Sequence, residues 1–175
     1  MSLRNLVAAA AMTAVEAAGV VIWLGMVSAR DSIYLPSAVA GGAVLAVALA
    51  VEDAVALYAA GRRPSLALVA GLAVTEVVVW SQWALIVLGG LYSATGVGPA
   101  FLVLAVLLVL QHGVEHSLVG GLEPYHPQTV VTAVVEAIGA TVLWVFVQHG
   151  MFWAGVAGLA LLLGVEHAIR MTRTP

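Results

Sequence analysis

Six apolar runs, each about as long as a bilayer is thick, take up most of this chain of 175 residues. A helix needs roughly 20 mostly apolar residues, rising about 1.5 Å each, to cross the hydrocarbon core. Such runs cover roughly 6–29, 38–60, 65–92, 99–121, 129–148 and 151–169. Turn-forming or charged clusters separate them: Arg30-Asp31-Ser32 with Pro36, then Gly61-Arg62-Arg63-Pro64, Gly89-Gly90 through Gly98-Pro99, and Glu123-Pro124-Tyr125-His126-Pro127. The last break is only Gln148-His149-Gly150, so the fifth and sixth helices must form a tight hairpin. Charged residues make up 9% of the chain, against roughly 25% in a soluble domain, which leaves too little polar surface to face water. The expected class is therefore an all-α integral membrane protein with six transmembrane helices, a single membrane domain over 1–175 in the cell membrane.

The same composition excludes several functions. With six Arg, no Lys and a net charge of −3 the chain lacks the basic surface of a nucleic-acid binder. Without cysteine it has no disulfide framework, thiolate metal site or thiol redox chemistry. A cytosolic enzyme and a disordered tail are excluded by hydrophobicity, and no soluble domain or long linker is expected. Six spans put both termini on one side, and Arg4, Arg62, Arg63, Arg170 and Arg173 fall there, with only Arg30 opposite. The positive-inside rule then predicts cytoplasmic termini. Glu16 interrupts the Ala-rich first run and no cleavage site follows, so the first helix reads as a retained span and not a signal peptide.

Self-similarity narrows the architecture further. Glu16, Glu76 and Glu136 fall 60 residues apart, each followed about two turns later by a tryptophan, Trp23, Trp83 or Trp144. The even runs carry a second signature: Val51-Glu52-Asp53-Ala54, Val114-Glu115-His116-Ser117 and Val165-Glu166-His167-Ala168. The pattern predicts three tandem helical hairpins, approximately 6–60, 65–121 and 129–169, related by an approximate internal threefold repeat.

The repeat places acids in lipid. Glu16, Glu52, Asp53, Glu76, Glu115, Glu136 and Glu166 all lie within predicted spans, and no Lys or Arg lies in the body of one. A lone charge at the bilayer centre costs at least about 2.5–3.5 kcal/mol, so something must offset these. Protons, histidinium or bound cations could do so. Carboxylate mixed with imidazole suits iron, zinc or manganese. His112, Glu115 and His116 at i, i+3 and i+4 share one helix face, which is sound ligand geometry.

Other spellings of these residues fit less well. His112-x-x-Glu115-His116 matches an inverted zinc-protease motif, but the repeat equivalents of His112 are Leu49 and Leu163. Four-helix di-iron sites use Glu-x-x-His, whereas Glu and His are adjacent here. Bis-histidine haem would need His116 and His167 on facing helices, each beside a carboxylate, and ranks behind metal ions. His126 and His149 read as solvated residues in turns. The tryptophans read as interfacial anchors, and Gly19 and Gly139 as points of close helix contact. A hydrogen-bonded, protonated network that only fixes packing is the plainest alternative for the acids.

A triplicated rotor-ring subunit of an ATP synthase would carry one ion-binding acid per hairpin and a Gly-repeat motif; acids on both helices exclude it. The six spans with both ends inside and Ala10/Ala14/Ala18 on the first helix resemble the vitamin-uptake subunits of the energy-coupling-factor class. That resemblance implies a substrate-binding or accessory subunit of a membrane complex.

The leading expectation is a membrane-embedded metal-binding protein, with Glu16, Glu52, Glu76, Glu115, Glu136 and Glu166 as carboxylate ligands or bridges and His112, His116 and His167 as imidazole ligands, in a site with room for two or more divalent iron, zinc or manganese ions. A cation or proton transporter or channel using the same carboxylates comes second, and the accessory subunit third. The expected partners are the lipid bilayer and either a second copy of the chain or a larger membrane complex.

Overall fold

A computed structural model describes residues 2–28, 35–88, 96–119 and 126–172, with the side chains of Ser28, Leu35, Leu88, His116 and Val119 outside that set. The described chain is all-helical: α1 (Leu3–Ser28), α2 (Leu35–Ala59), α3 (Leu66–Leu88), α4 (Val97–Val119), α5 (Pro127–Gln148) and α6 (Phe152–Met171). All six are long and apolar enough to cross a membrane, consistent with a multi-pass membrane protein.

Local chemistry sets the helix ends. Pro36, Pro99 and Pro127 fall inside the first turns of α2, α4 and α5 and not in the breaks between spans. An N-terminal turn has no use for the missing N–H, and proline's fixed φ suits it. Ser2 Oγ accepts from Asn5 N at 3.2 Å, Ser65 Oγ from Leu68 N at 3.2 Å, and His126 Nδ1 from Gln128 N at 3.2 Å, satisfying amides that no carbonyl can reach. Between α5 and α6, Gly150 turns the chain at φ +72°, a left-handed conformation that glycine adopts without strain. Met151 N then donates back to Phe146 O at 2.8 Å, and the expected tight hairpin follows.

Each helix packs against its neighbours in sequence, and α6 closes against α1, so the helices form a ring in chain order. Valine and leucine side chains such as Val47, Val74, Val106 and Leu161 cover the outside. The inside is layered. One layer is aromatic and aliphatic, built on Trp23, Trp80, Trp83, Trp144, Leu45, Leu104 and Leu143. A smaller alkyl cluster gathers Ala8, Met12, Ala56, Leu57, Leu72 and Met171. The buried acids form a third group of interior residues.

Four of the five tryptophans, expected as interfacial anchors, face the interior instead. Trp23, Trp80, Trp83 and Trp144 are buried and meet edge to face in series, at centroid distances of 6.1, 5.7 and 6.4 Å. Only Trp153 is turned outward, at 78% exposure. Indoles supply bulk to the interior with favourable edge-to-face geometry. Gly19 and Gly139 do mark close approaches: a Cβ on Gly139 would lie 3.2 Å from Leu162 Cβ, and one on Gly19 would collide with Ala48 Cβ.

Candidate functional site

The sequence anticipates acids facing a common interior, and the structure buries Glu16, Glu52, Asp53, Glu76, Glu115, Glu136 and Glu166. They come from all six helices, and two groups among them draw close. Glu16, Glu76 and Glu136, from α1, α3 and α5, bring carboxylate oxygens within 4.8 Å of one another. Glu16 also joins Glu166 and His167 of α6 in a second group of the same dimension. Because α1, α3 and α5 meet again at Trp23, Trp83 and Trp144, which follow the glutamates in sequence, these three helices run in the same direction.

His167 is the best-defined donor. Its Nδ1 lies 3.0 Å from Thr13 Oγ1, and that hydroxyl donates its only hydrogen to Ala9 O at 2.8 Å. The threonine oxygen can then only accept, so Nδ1 carries the hydrogen. Nε2 points the other way, 3.0 Å from Glu166 Oε2, 3.3 Å from Glu16 Oε2 and 3.6 Å from Glu52 Oε1. One nitrogen bearing at most one hydrogen cannot satisfy three carboxylates. Around a tetrahedral ion with bonds of about 2.0–2.2 Å, ligand atoms stand about 3.3–3.6 Å apart, close to these spacings.

The same device recurs on the far side. His112 Nδ1 lies 3.1 Å from Thr132 Oγ1, whose hydroxyl is shared between the carbonyls of Gln128 and Thr129 at 3.1 Å each. His112 Nε2 then faces Glu136 Oε2 at 2.8 Å. His112 is in neither close group of potential ligands. A histidine fixed through one nitrogen by an outer hydroxyl is a recurrent arrangement at metal sites.

Arg170 departs from the expectation of acids without a base. The final helix extends past the predicted 151–169 to Met171, and the Arg170 side chain, 8% exposed, reaches back along it into the interior. Its Nη1 donates to Glu52 Oε1 at 2.8 Å, and its Nη2 pairs with Glu115 Oε1. A long stem lets an arginine near a helix end place its charge away from its own Cα. Around it, Asn5 Nδ2 donates to Met171 O at 3.0 Å and Gln128 Nε2 to Ile169 O at 2.9 Å, so side chains of α1 and α5 cover the last carbonyls of α6.

Of the anticipated residues, the structure thus brings together Glu16, Glu76, Glu136, Glu166 and His167, sets His112 against Glu136, and pairs Glu52 and Glu115 with Arg170. The His116 side chain lies outside the described residues. Thr13, Thr132 and Arg170 are participants that the sequence did not single out. Single threonines in an apolar helix carry no signal of their own, and their partners lie on other helices.

Several carboxylate oxygens are left over. Glu16 Oε1, Glu136 Oε1, Glu166 Oε1 and both oxygens of Asp53 are buried and meet no hydrogen-bond partner among the described residues. Uncompensated buried oxygens of this kind are costly, and a cation would satisfy them.

Fold and site together define a helical bundle of membrane-spanning dimensions whose buried carboxylate and histidine groups could hold a metal ion. Compared with known protein families, characterised proteins and solved structures, the chain matches none of them.

Proposed function

We propose that this chain is a membrane-embedded metal-binding protein whose carboxylate/histidine site lies inside the six-helix bundle. The observation that carries the reading is the convergence on Glu16, which belongs at once to the Glu76/Glu136 group and to the Glu166/His167 group. Glu16, Glu76, Glu136, Glu166 and His167 are the central ligands, and His112 orients Glu136. Glu52 and Glu115 border the site through Arg170, with His116 as a further candidate beside Glu115. Carboxylate with imidazole favours divalent iron, zinc or manganese.

The architecture in this reading is three tandem hairpins, 6–60, 65–121 and 129–169, in an approximate threefold repeat. Its support is that Glu16, Glu76 and Glu136 meet, and that the repeat-equivalent positions His112, Leu49 and Leu163 are all buried. The arginine distribution supports cytoplasmic termini in the cell membrane. Lipid is the surrounding partner, and a second copy or a larger complex would complete the assembly.

A second reading, a cation or proton transporter, draws on Asp53. This acid is fully buried next to Glu52, yet outside both close groups, and would extend the acids into a path. The tryptophan series across the bundle opposes an open pore.

Elemental analysis of detergent-purified protein, prepared without chelator, tests the proposal. The expected result is near-stoichiometric transition metal that falls about tenfold or more when Glu16→Gln is combined with His167→Ala. Metal-free wild-type protein would remove the fixed-site reading and make flux in vesicles the next measurement.

A further inference from the structure

The geometry points to a dinuclear centre bridged by the Glu16 carboxylate. This inference rests on the metal-binding reading and fixes its nuclearity and ligand topology. One ion would sit among Glu16, Glu166 and His167 Nε2, and a second among Glu16, Glu76 and Glu136.

Three independent features converge on this arrangement. The first is topological: one carboxylate of α1 is shared by a group completed from α6 and a group completed from α3 and α5. The second is the state of its two oxygens. Glu16 Oε2 faces His167 Nε2 at 3.3 Å, while Oε1 is buried with no hydrogen-bond partner among the described residues. A carboxylate that bridges two ions needs a free oxygen beside the one already engaged, and Glu16 Oε1 supplies it. Glu136 Oε1 and Glu166 Oε1, the outer members of the two groups, are likewise buried and unpartnered.

The third feature is charge. Arg170 directs its single positive charge to Glu52 and Glu115 and leaves none for the other acids. The two groups contain four carboxylates, Glu16, Glu76, Glu136 and Glu166, and two divalent ions would neutralise them with both histidines uncharged. A single divalent ion would leave half of that charge uncompensated in a low-dielectric interior. Ions sharing one bridging carboxylate stand about 3.5–4 Å apart in two-metal sites, close enough for their electron spins to couple.

The two ligand sets also differ in kind. The Glu16/Glu166/His167 set offers an imidazole, whereas the Glu16/Glu76/Glu136 set offers oxygen alone. Imidazole suits zinc and iron, and an all-oxygen set suits manganese or magnesium. The two positions should therefore fill in order, the imidazole position first when zinc or iron is supplied.

Manganese(II) is a usable probe because isolated and coupled ions give different electron paramagnetic resonance spectra. Full-length detergent-solubilised protein would be stripped with chelator, titrated with Mn(II), and read by bound stoichiometry and spectrum. Two ions per chain are expected, with an exchange-coupled spectrum at saturation in place of the isolated-ion pattern. In Glu16→Gln, coupling should vanish and the weaker ion should bind at least about 10–100-fold less tightly, the loss typical when only an outer hydrogen-bond partner of a ligand is removed. Circular dichroism and size-exclusion profiles would establish that this isosteric variant folds; if it does not, the wild-type spectrum alone decides. One uncoupled ion per chain at saturation, or two coupled ions retained in Glu16→Gln, would overturn the bridge and leave metal binding standing. No bound Mn(II), zinc or iron at all would overturn both.

Discussion

Thr13 shows how one hydroxyl can set the chemistry of a residue on another helix. Its hydrogen goes to Ala9 O, so its oxygen faces His167 Nδ1 as an acceptor and turns Nε2 toward Glu16 and Glu166. Valine matches threonine in shape and lacks the acceptor. Thr13→Val should therefore lower metal affinity about 10–100-fold while leaving helical content unchanged, and Thr13→Ser should restore most of it. Competition titration against a chromophoric chelator reads the change, and equal affinity in Thr13→Val would show that the hydroxyl does not orient the ring. Arg170 calls for a different test. Replacing it with methionine leaves Glu52 and Glu115 buried without their cation, and removing one partner of a buried ion pair costs about 3–5 kcal/mol. The triple variant Arg170→Met/Glu52→Gln/Glu115→Gln removes the charges on both sides. Denaturation in detergent should show most of the loss recovered in the triple variant; no recovery would mean that Arg170 stabilises the bundle by packing alone.

At the level of helices, close approach depends on where a glycine points. A Cβ on Gly19 would collide with Ala48 Cβ, forcing α1 and α2 apart, whereas one on Gly71 of α3 would meet nothing within 4 Å. Overpacking costs typically about 1–3 kcal/mol, while glycine to alanine in an open helical position gains up to about 1 kcal/mol. Thermal unfolding in detergent should place Gly19→Ala below the wild type and Gly71→Ala at or above it. The role of Gly19 was legible in the sequence, as were the six helices, because an apolar run of membrane length bounded by turn residues has few alternatives. The inward face was legible too, since Glu16, Glu76 and Glu136 announce it by their spacing. What was hidden is contact between helices. Trp23, Trp83 and Trp144 have the spacing of interfacial anchors whether they face lipid or one another, and only the closed ring decides that they meet through Trp80. Arg170 sits at a helix end, where arginines commonly reach outward to headgroups, and the acids it reaches lie on α2 and α4. His112 was singled out by its i, i+3, i+4 face; its contact with Glu136 on the next helix could not be read from that spacing.

Across the whole molecule, the site and the bundle are one structure. Every helix contributes a buried acid or histidine to the interior, so none of these side chains can move without shifting the packing of the element that bears it. The aromatic layer and the small alkyl cluster pack from residues elsewhere on the same helices and involve none of the buried acids. Metal removal should consequently loosen the bundle without dispersing it. Carboxylates that an ion had neutralised would be left to repel or to take up protons, while the tryptophan series kept α1, α3 and α5 together. A ligand bound only by the folded state stabilises it by about 2.7 kcal/mol when present at a hundred times its dissociation constant. Chelation should therefore lower the unfolding temperature in detergent, and stoichiometric zinc, iron(II) or manganese(II) should restore it, with calcium less effective because imidazole favours the softer ions. Hydrogen exchange in the same samples should show the loss of protection centred on the turns of helix around Glu16, Glu76, Glu136 and Glu166, and not at the tryptophans. An unfolding temperature indifferent to chelator and to every added metal would mean that the acids are neutralised within the protein itself, and that the carboxylate interior is a packing device.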